Sequence, residues 1–484
     1  MKRHALGRKA AALCCCLVLL PLSAAAEPAG VLRVEAEDGA RVGHTVVGQK
    51  DGTGWVEGFT AAGEDRVDIP VTVAEEGFYD VSVILASQGG HKENPVLLDG
   101  QPIGTVAVDV RSFVPGTLSH IYFSAGEHTL SVGTSWGYIQ VDAVELTPAE
   151  PLPADLYEVS HTLSVPNPSP EAQRLFDWMC DIYGKKIISG QYCDGGMLGL
   201  ENQAIWRATG VYPALLGMDL MEYTPSRVEK GGASDNTVPL AIDYWNKGGI
   251  VTLCWHWNAP TPYLKDPWYS GFYADKTTIN LRRIMIGKDP AGYDLLMADI
   301  DAIAAQLTRL RDAGVPVLWR PLHEASGGWF WWGSSGSEAY LWLYNLLFDR
   351  LTNEYGLNNL IWVWNGQDPE WYPGDDKVDI IGTDIYAGEH VYDSQSAAFI
   401  ECAKTTDARK MIILSENGTV PDAELIFRDG TVWGSWCTWS GEFVLKSNKF
   451  NKPSEKYTEV ELLKKVYSDE RVVSREDLPS FTGE

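Results

Sequence analysis

Apolar and polar positions follow two different patterns along the chain, and the change falls near position 150. Across residues 31–147, short runs of alternating apolar and polar residues are separated by turns such as Asp99-Gly100, without a helical period. Alternation with a period of two is typical of strands that bury one face. Strands at this spacing predict an antiparallel β-sandwich of roughly a hundred residues.

Across residues 156–477, apolar and β-branched runs alternate with longer segments of helical spacing, two of which end at Gly314 and Gly356. Short apolar runs bounded by turn residues are typical of buried parallel strands. Eight such units in roughly three hundred residues predict a (β/α)8 TIM barrel, with its chemistry on the loops that follow the strands. The predicted strands are 186–189, 213–216, 249–253, 315–319, 360–363, 378–382, 411–414 and 432–439, and the two predicted helices are 293–313 and 338–355.

The segments outside these two domains have their own signals. Residues 148–155 contain three prolines and predict a stiff, extended linker. Residues 1–26 combine a basic start, an apolar centre at 10–22 and a small-residue site at Ala24-Ala25-Ala26, which is typical of a signal peptide. We therefore expect a secreted protein. No later apolar run is long enough for a membrane span.

Charge limits the choice of partners. The chain has 65 acidic and 39 basic residues, a formal net charge of −26. This excess argues against nucleic acid and anionic membranes, because both need a basic face, and it is compatible with a neutral substrate. Five cysteines follow the leader, an odd number without the spacing of metal ligands. Cys180 and Cys193 either form a disulfide or remain free thiols.

Two glutamates stand where predicted parallel strands give way to loops. Glu324 follows the fourth strand together with Arg320 and His323, and Glu416 follows the seventh. The 92 positions between the glutamates correspond to about three units of roughly thirty residues, which would place both carboxylates at the C-terminal rim of one barrel. Two carboxylates across a cleft are the arrangement that glycoside hydrolysis requires. The alternative for Glu324 is a buried ion pair that caps a core strand.

Aromatic residues support a carbohydrate ligand. The chain has 19 tryptophans, and most of them lie between Trp245 and Trp439. Sugar rings stack on aromatic side chains while their hydroxyls bond polar neighbours. Core packing explains some of these rings, whereas the run WFWWG at 329–333, beside a glycine-rich loop, indicates a sugar-binding cleft.

The first domain contains a possible cation site. Glu35 and Glu37 lie on one face of its first strand, and Asp142 lies on its last strand. Three carboxylates together with backbone oxygens can bind a hard cation. The alternative is that the three are ordinary acidic residues of the surface. The segments VEAEDG and SWGYIQVDAVEL resemble the first and last strands of carbohydrate-binding module family 35. The resemblance implies that Glu35, Glu37 and Asp142 hold a structural calcium ion and that Trp136 contacts a sugar.

The second domain resembles glycoside hydrolase family 26, which is dominated by β-mannanases. The similarity is carried by WRPLHE around Glu324 and LSENG around Glu416, with ISGQ, LLGMD, CWHW, GTDIY and WCTWSGEF at other strands. The resemblance implies a double displacement that retains anomeric configuration. In that reaction Glu324 is the general acid/base and Glu416 is the nucleophile.

The resemblance also implies roles for residues around the two glutamates. Arg320 would keep Glu416 charged, and Tyr386 would hydrogen-bond it. His256, His323, Trp329, Trp439 and Trp268 would contact substrate, with a purely structural role as the alternative for His256. Asp219 and Asp384 either touch substrate or orient their neighbours.

Together these features predict a secreted, monomeric endo-β-1,4-mannanase that acts on plant cell-wall mannan, glucomannan or galactomannan and needs no catalytic cofactor. Three alternatives remain open. The same barrel could cleave mixed-linkage β-glucan or β-1,3-xylan, or it could release mannobiose from chain ends. The chain could also be a non-catalytic polysaccharide binder, against which the intact Glu324, Glu416, Arg320, His323 and Tyr386 argue.

Overall fold

The structure is a computed structural model that describes residues 30–232, 236–447 and 450–482. The predicted signal peptide lies outside the described residues. None of the described helices is long and apolar enough to cross a bilayer. The five cysteines in the described part of the chain are all free thiols, so Cys180 and Cys193 do not pair.

The first domain is a sandwich of two antiparallel sheets, as predicted. Along Arg66–Val73 every second residue is buried, so that Val67, Ile69, Val71 and Val73 face the core between the sheets. One sheet contains, in spatial order, Val46–Lys50, Thr53–Glu57, Ile139–Pro148, Gly77–Ser87 and Val114–Phe123, with Leu32–Glu35 also paired to Ile139–Pro148. The other contains Ala40–Val42, Arg66–Val73, Gly126–Val132, Lys92–Leu98 and Gln101–Val108.

The alternating runs predict strands at 31–35, 66–73, 78–86, 96–98, 103–108, 119–123, 128–132 and 138–146, and three of the observed strands are missing from that prediction. Ala40–Val42 and Val46–Lys50 are short and mostly exposed, and Thr53–Glu57 buries only Val56. A strand that buries little apolar surface does not show the alternation by which strands are recognised in a sequence.

The second domain is a closed barrel of eight parallel strands. Its strands, numbered here one to eight in chain order, are Gly190–Tyr192, Leu215–Asp219, Ile250–Cys254, Val317–Arg320, Leu360–Trp364, Ile380–Ile385, Met411–Asn417 and Trp436–Thr438. The described α-helices are Pro170–Ile182, Leu200–Thr209, Pro225–Glu229, Thr237–Asn246, Leu281–Met285, Pro290–Asp312, Ser337–Phe348, Ser396–Ala403, Ala423–Asp429 and Val460–Tyr467. A π-helix, Asp349–Glu354, directly follows the helix Ser337–Phe348. A hairpin of Leu445–Ser447 and Phe450–Pro453 lies outside the barrel.

The first predicted barrel strand is wrong in position. Ile187–Ile188 pairs with Val472–Val473 in a separate two-stranded sheet, and the barrel strand begins only at Gly190. A Cβ atom at Gly190 would lie 2.3 Å from the carbonyl oxygen of Trp436, so only glycine allows this close approach of barrel strands. Apolar residues form both short strands, and the sequence pattern cannot separate them.

Local signals explain the longest helix. Pro290 occupies the first turn of Pro290–Asp312, and the Asp289 side chain accepts a hydrogen bond from the backbone N–H of Gly292. Such a cap satisfies a backbone donor at the helix start. Leu296, Ile300 and Ile303 recur at helical spacing and are fully buried, which holds the helix against the barrel.

The two domains contact each other around His120 of the sandwich. Its Nε2–H donates to the carbonyl oxygen of Asp429 at 3.1 Å, and its own carbonyl accepts a hydrogen bond of 2.9 Å from Ser396 Oγ. The imidazole also stacks on Phe78 with a centroid separation of 4.0 Å. This contact places the sandwich beside the helix Ser396–Ala403, which follows strand six.

Candidate active site

Two predicted glutamates and one aspartate meet at the C-terminal mouth of the barrel. Glu416 lies in strand seven, beside a register shift between Leu414 and Asn417. Glu324 follows strand four and has a left-handed backbone with φ of 52°, a conformation that is uncommon outside glycine and clusters at functional sites. Carboxylate oxygens of Glu324, Asp384 and Glu416 all lie within 4.8 Å of one another.

Glu416 is held by donors on both of its oxygens. Nη2 of Arg320 contacts Oε1, and the phenol of Tyr386 donates to Oε2 at 2.6 Å. Both contacts were predicted, and both stabilise the ionised carboxylate. Burial raises the pKa of Glu416, and Arg320 and Tyr386 oppose that rise.

Glu324 has a different environment. The indole Nε1–H of Trp329 donates to its Oε2 at 2.9 Å, and no guanidinium contacts its carboxylate among the described residues. Burial raises the pKa of Glu324, and the charges of Asp384 and Glu416 raise it further. Arg320 and Tyr386 stabilise the ionised form of Glu416 and do not contact Glu324. When only one of the two glutamates is protonated, the proton is therefore on Glu324.

Asp384 is a site residue whose role the sequence left open. Its side chain is fully buried and accepts a hydrogen bond of 2.9 Å from Nη1 of Arg320. Its other oxygen accepts from Nδ2 of Asn365 at 3.0 Å and from Oγ of Ser415 at 2.7 Å. With all these partners supplied by the protein, Asp384 orients Arg320 rather than touching substrate.

Asn365 and Ser415 were missed by the sequence reasoning. Oδ1 of Asn365 accepts a hydrogen bond of 3.0 Å from the backbone N–H of Glu324, so the same amide connects the Glu324 loop to Asp384. Their position beside strand ends was a weak signal, because most polar residues at such positions do not enter a site.

A chain of hydrogen bonds joins Asp219, His256 and His323. Nδ1 of His256 lies 2.6 Å from Oδ2 of Asp219, and its Nε2 lies 3.2 Å from Nε2 of His323. Burial and the nearby Arg320 lower the pKa of His323 well below its usual range, so that ring is neutral. Since a carboxylate only accepts, Nδ1 of His256 donates to Asp219, and one proton lies between the two Nε2 atoms of His256 and His323.

The histidine geometry bears on the predicted sugar contacts. His323 is only 1% exposed and contacts His256, which is 9% exposed. Asp219 also accepts from the backbone N–H of His256 at 3.1 Å, so it orients that residue. The substrate contacts of both histidines stay predictions.

The aromatic run after Glu324 divides into two parts. Trp329 is 47% exposed and borders the mouth of the barrel, whereas Phe330, Trp331 and Trp332 are buried. The interpretation of the whole run as a sugar-binding cleft is therefore wrong for three of its four rings. The two inner tryptophans donate to backbone carbonyls, Trp331 to Trp257 and Trp332 to His323, and so support the loop.

Trp439 and Trp268 are the other two aromatic residues predicted to contact substrate. The ring of Trp439 lies 4.6 Å from that of Tyr192 and 5.9 Å from that of His256, measured between centroids. Trp439 therefore packs beside Tyr192 and His256, and its contact with a sugar stays a prediction. The guanidinium of Arg227 lies 5.7 Å from the ring of Trp268, and the contact of that ring with a sugar stays a prediction.

The predicted calcium ligands do not form one cluster. Arg33 donates to Glu35 at 2.9 Å and to Asp142 at 2.6 Å, so a guanidinium already neutralises two of the three carboxylates. Oε2 of Glu37 is buried without a hydrogen-bond partner. Glu35 and Asp142 are thus bound to Arg33, and the structural calcium ion stays a prediction.

A second trio of ligand-type side chains, Asp219, Cys254 and His256, also lies within 4.8 Å. Burial raises the pKa of the Cys254 thiol well above its usual range. Hydrogen bonding of Asp219 to His256 explains this trio without a metal.

Comparison with known proteins agrees with both domains. Residues 164–477 match the family model described as glycosyl hydrolase family 26, and residues 32–149 match that of carbohydrate binding module family 35. A mannan endo-1,4-β-mannosidase of Thermothelomyces thermophilus is 39% identical over 94% of this chain and 92% of the relative.

Two solved structures are similar over nearly the whole chain. The Podospora anserina GH26-CBM35 β-(1,4)-mannanase has a TM-score of 0.64 and 36% identity, covering 93% of this chain and 99% of that one. A ruminal GH26 endo-β-1,4-mannanase has a TM-score of 0.65 and 30% identity, covering 93% and 98%.

Proposed function

The chain belongs to glycosyl hydrolase family 26, and from this premise we propose that it is a retaining endo-β-1,4-mannanase with Glu324 as acid/base and Glu416 as nucleophile. The observation that carries the proposal is the placement of two carboxylates within 4.8 Å of each other, each with different hydrogen-bond partners. Retaining glycosidases hold their carboxyl groups about 5 to 5.5 Å apart, whereas inverting enzymes leave room for a water.

In the first step, the carboxylate of Glu416 attacks the anomeric carbon while Glu324 donates its proton to the leaving oxygen. The glycosidic C–O bond breaks, and a glycosyl ester forms on Glu416. Arg320 and Tyr386 support this step because they hold Glu416 ionised and oriented. The raised pKa of Glu324 keeps its proton available at neutral pH.

In the second step, Glu324 is a carboxylate and takes a proton from a water that attacks the anomeric carbon. The ester bond to Glu416 breaks, and the product leaves with its original configuration. Glu324 gave up its proton in the first step, so it can act as the base that accepts the proton of the attacking water in the second.

The preference for mannan is proposed from the relatives, which are named mannan endo-1,4-β-mannosidases. Glucomannan and galactomannan are the further substrates that we propose. The ring of Trp439 beside His256 and the exposed ring of Trp329 are compatible with a chain of sugars across the cleft. We also propose that the protein is exported, on the basis of the signal-peptide pattern in residues 1–26.

The test compares hydrolysis of mannan, lichenan and xylan by the wild-type protein and by Glu416→Ala. We expect mannan to be cleaved to mixed short products, with a rate loss of about a thousandfold or more in the variant. Azide should restore cleavage by Glu416→Ala and yield a glycosyl azide of inverted configuration. Release of mannobiose alone would contradict endo action, and faster cleavage of lichenan or xylan would contradict the mannan preference.

A further inference from the structure

A groove between the two domains has no role in the function proposed above. It encloses about 500 Å3 and is lined by Glu93 of the sandwich and by Ser326, Gln367 and Asp368 of the barrel. Only two 3-10 turns, rather than an α-helix, join strands five and six in this described part of the barrel. The groove therefore lies where a helix would otherwise cover the barrel.

One end of the groove lies beside the loop that carries Glu324. Ser326, in its wall, stands two residues after Glu324. The ring of Trp329 lies against Gly327, where an added Cβ would be 2.0 Å from the ring, and the indole donates to Glu324. This loop thus joins Glu324 and Trp329 to the wall of the groove at Ser326.

The other end of the groove reaches exposed aromatic rings of the sandwich. The backbone N–H of Trp136 donates to the carbonyl oxygen of Glu93 at 3.1 Å. Trp136 is 55% exposed and Tyr138 is 53% exposed. Large exposed rings beside polar groups offer what a sugar ring binds, an apolar face with hydrogen-bonding groups around it.

The catalytic roles of the two glutamates determine which part of a bound polysaccharide would lie in this groove. Glu324 protonates the leaving oxygen, so the sugars of the leaving group extend on the side of Glu324 and Trp329. The groove begins on that side, at Ser326. The side-chain carboxylates, amides and hydroxyls that line the groove can form hydrogen bonds with the hydroxyl groups of a neutral polysaccharide.

We propose that the groove and the rings of Trp136 and Tyr138 form a distal binding site for the leaving-group portion of the same β-mannan chain that is being cleaved. The sandwich then extends the cleft instead of acting as a separate anchor. This inference rests on the proposed mannanase function.

The test uses soluble mannotetraose and mannooctaose with the wild-type protein and Trp136→Ala. We expect Trp136→Ala to lower kcat/KM for mannooctaose by roughly tenfold, through KM, because a contact made equally in the ground and transition states changes KM alone. Mannotetraose should be cleaved at the wild-type rate, because it is too short to reach the ring. Trp206→Ala is the matched control, since Trp206 is 45% exposed on the helix Leu200–Thr209, away from the groove.

A second variant, Ser326→Phe, blocks the groove and leaves Trp136 intact. The expected result is the same loss of preference, measured as the ratio of kcat/KM for mannooctaose to that for mannotetraose. An unchanged ratio in both variants would overturn the inference, even if Trp136→Ala binds insoluble mannan less tightly. Failure of the wild-type protein to cleave either oligosaccharide would instead refute the proposed function.

Discussion

Tyr386 donates a hydrogen bond of 2.6 Å to Oε2 of Glu416, on the side of the carboxylate opposite Arg320. Burial and the charge of Glu416 raise the pKa of Tyr386, so the phenol remains a donor at every pH of interest. The bond favours the ionised form of Glu416 and sets its orientation. Two consequences for catalysis follow, one for the rate and one for its pH dependence.

Tyr386→Phe should lower kcat by about a hundredfold, because one charge-assisted donor to the nucleophile contributes on the order of 2 to 3 kcal/mol. The pKa of Glu416 should rise without this donor, so the acid limb of the kcat/KM profile should move to higher pH. Steady-state kinetics across pH measures both effects. Tyr79→Phe is the control, since its phenol donates to a backbone carbonyl in the sandwich, and an unmoved acid limb in Tyr386→Phe would contradict the assignment of Glu416.

Asp384→Asn should move both limbs of the pH profile to lower pH. The charge of Asp384 raises the pKa of both Glu324 and Glu416. Without that charge each glutamate holds its proton less strongly, so Glu324 loses its proton at lower pH and the alkaline limb falls with it. The pH profile of kcat/KM checks the shift, with Asp376→Asn, at an exposed carboxylate, as control. An alkaline limb that stays in place would contradict the electrostatic coupling.

Asp219→Ala should lower kcat/KM for mannan by roughly ten- to a hundredfold. His256 then loses the acceptor that holds its proton on Nδ1 and fixes its ring. Asp219→Asn keeps an acceptor oxygen in the same place and should recover part of the loss. If both variants were equally impaired, the orienting role of Asp219 would be wrong. Thermal unfolding of each variant separates this effect from a loss of stability.

The contact between domains should weaken in acid through His120. Burial lowers the pKa of this histidine in the folded protein. As the pH falls below about 6.5, His120 therefore binds a proton in the unfolded chain before it does so in the folded protein. The contribution of His120 to the free energy of unfolding is lost over this range. Asp429 and Asp80 adjoin His120, and their charges favour the protonated ring. The other charged residues that line the cavity beside His120 are Glu150, Lys404 and Arg409.

We expect His120→Asn to lower the free energy of unfolding by about 1 to 3 kcal/mol at pH 8, through the lost bond to Asp429. Asparagine suits the left-handed backbone of this position, where φ is 62°. The difference between variant and wild type should shrink at pH 5, as measured by urea unfolding. A constant difference across this range would show that His120 does not titrate with folding.

Much of the architecture could be predicted from local patterns. Alternation with a period of two identified the sandwich, because each strand there buries one face of its own residues. Apolar runs followed by polar residues identified the barrel and placed Glu324 and Glu416 at strand ends. Parallel strands share one C-terminal edge, so two residues 92 positions apart could be assigned to a common mouth.

The tertiary structure alone decided which neighbours each of these groups has. Asp384, Asn365 and Ser415 join Arg320 to the Glu324 loop through contacts between residues 19 to 64 positions apart, and no local period encodes such pairs. Trp329 and Trp331 are two positions apart, yet one is half exposed and the other fully buried. Periodicity reports which face of an element is apolar, whereas exposure, register and hydrogen-bond partners depend on what the rest of the chain packs against that face.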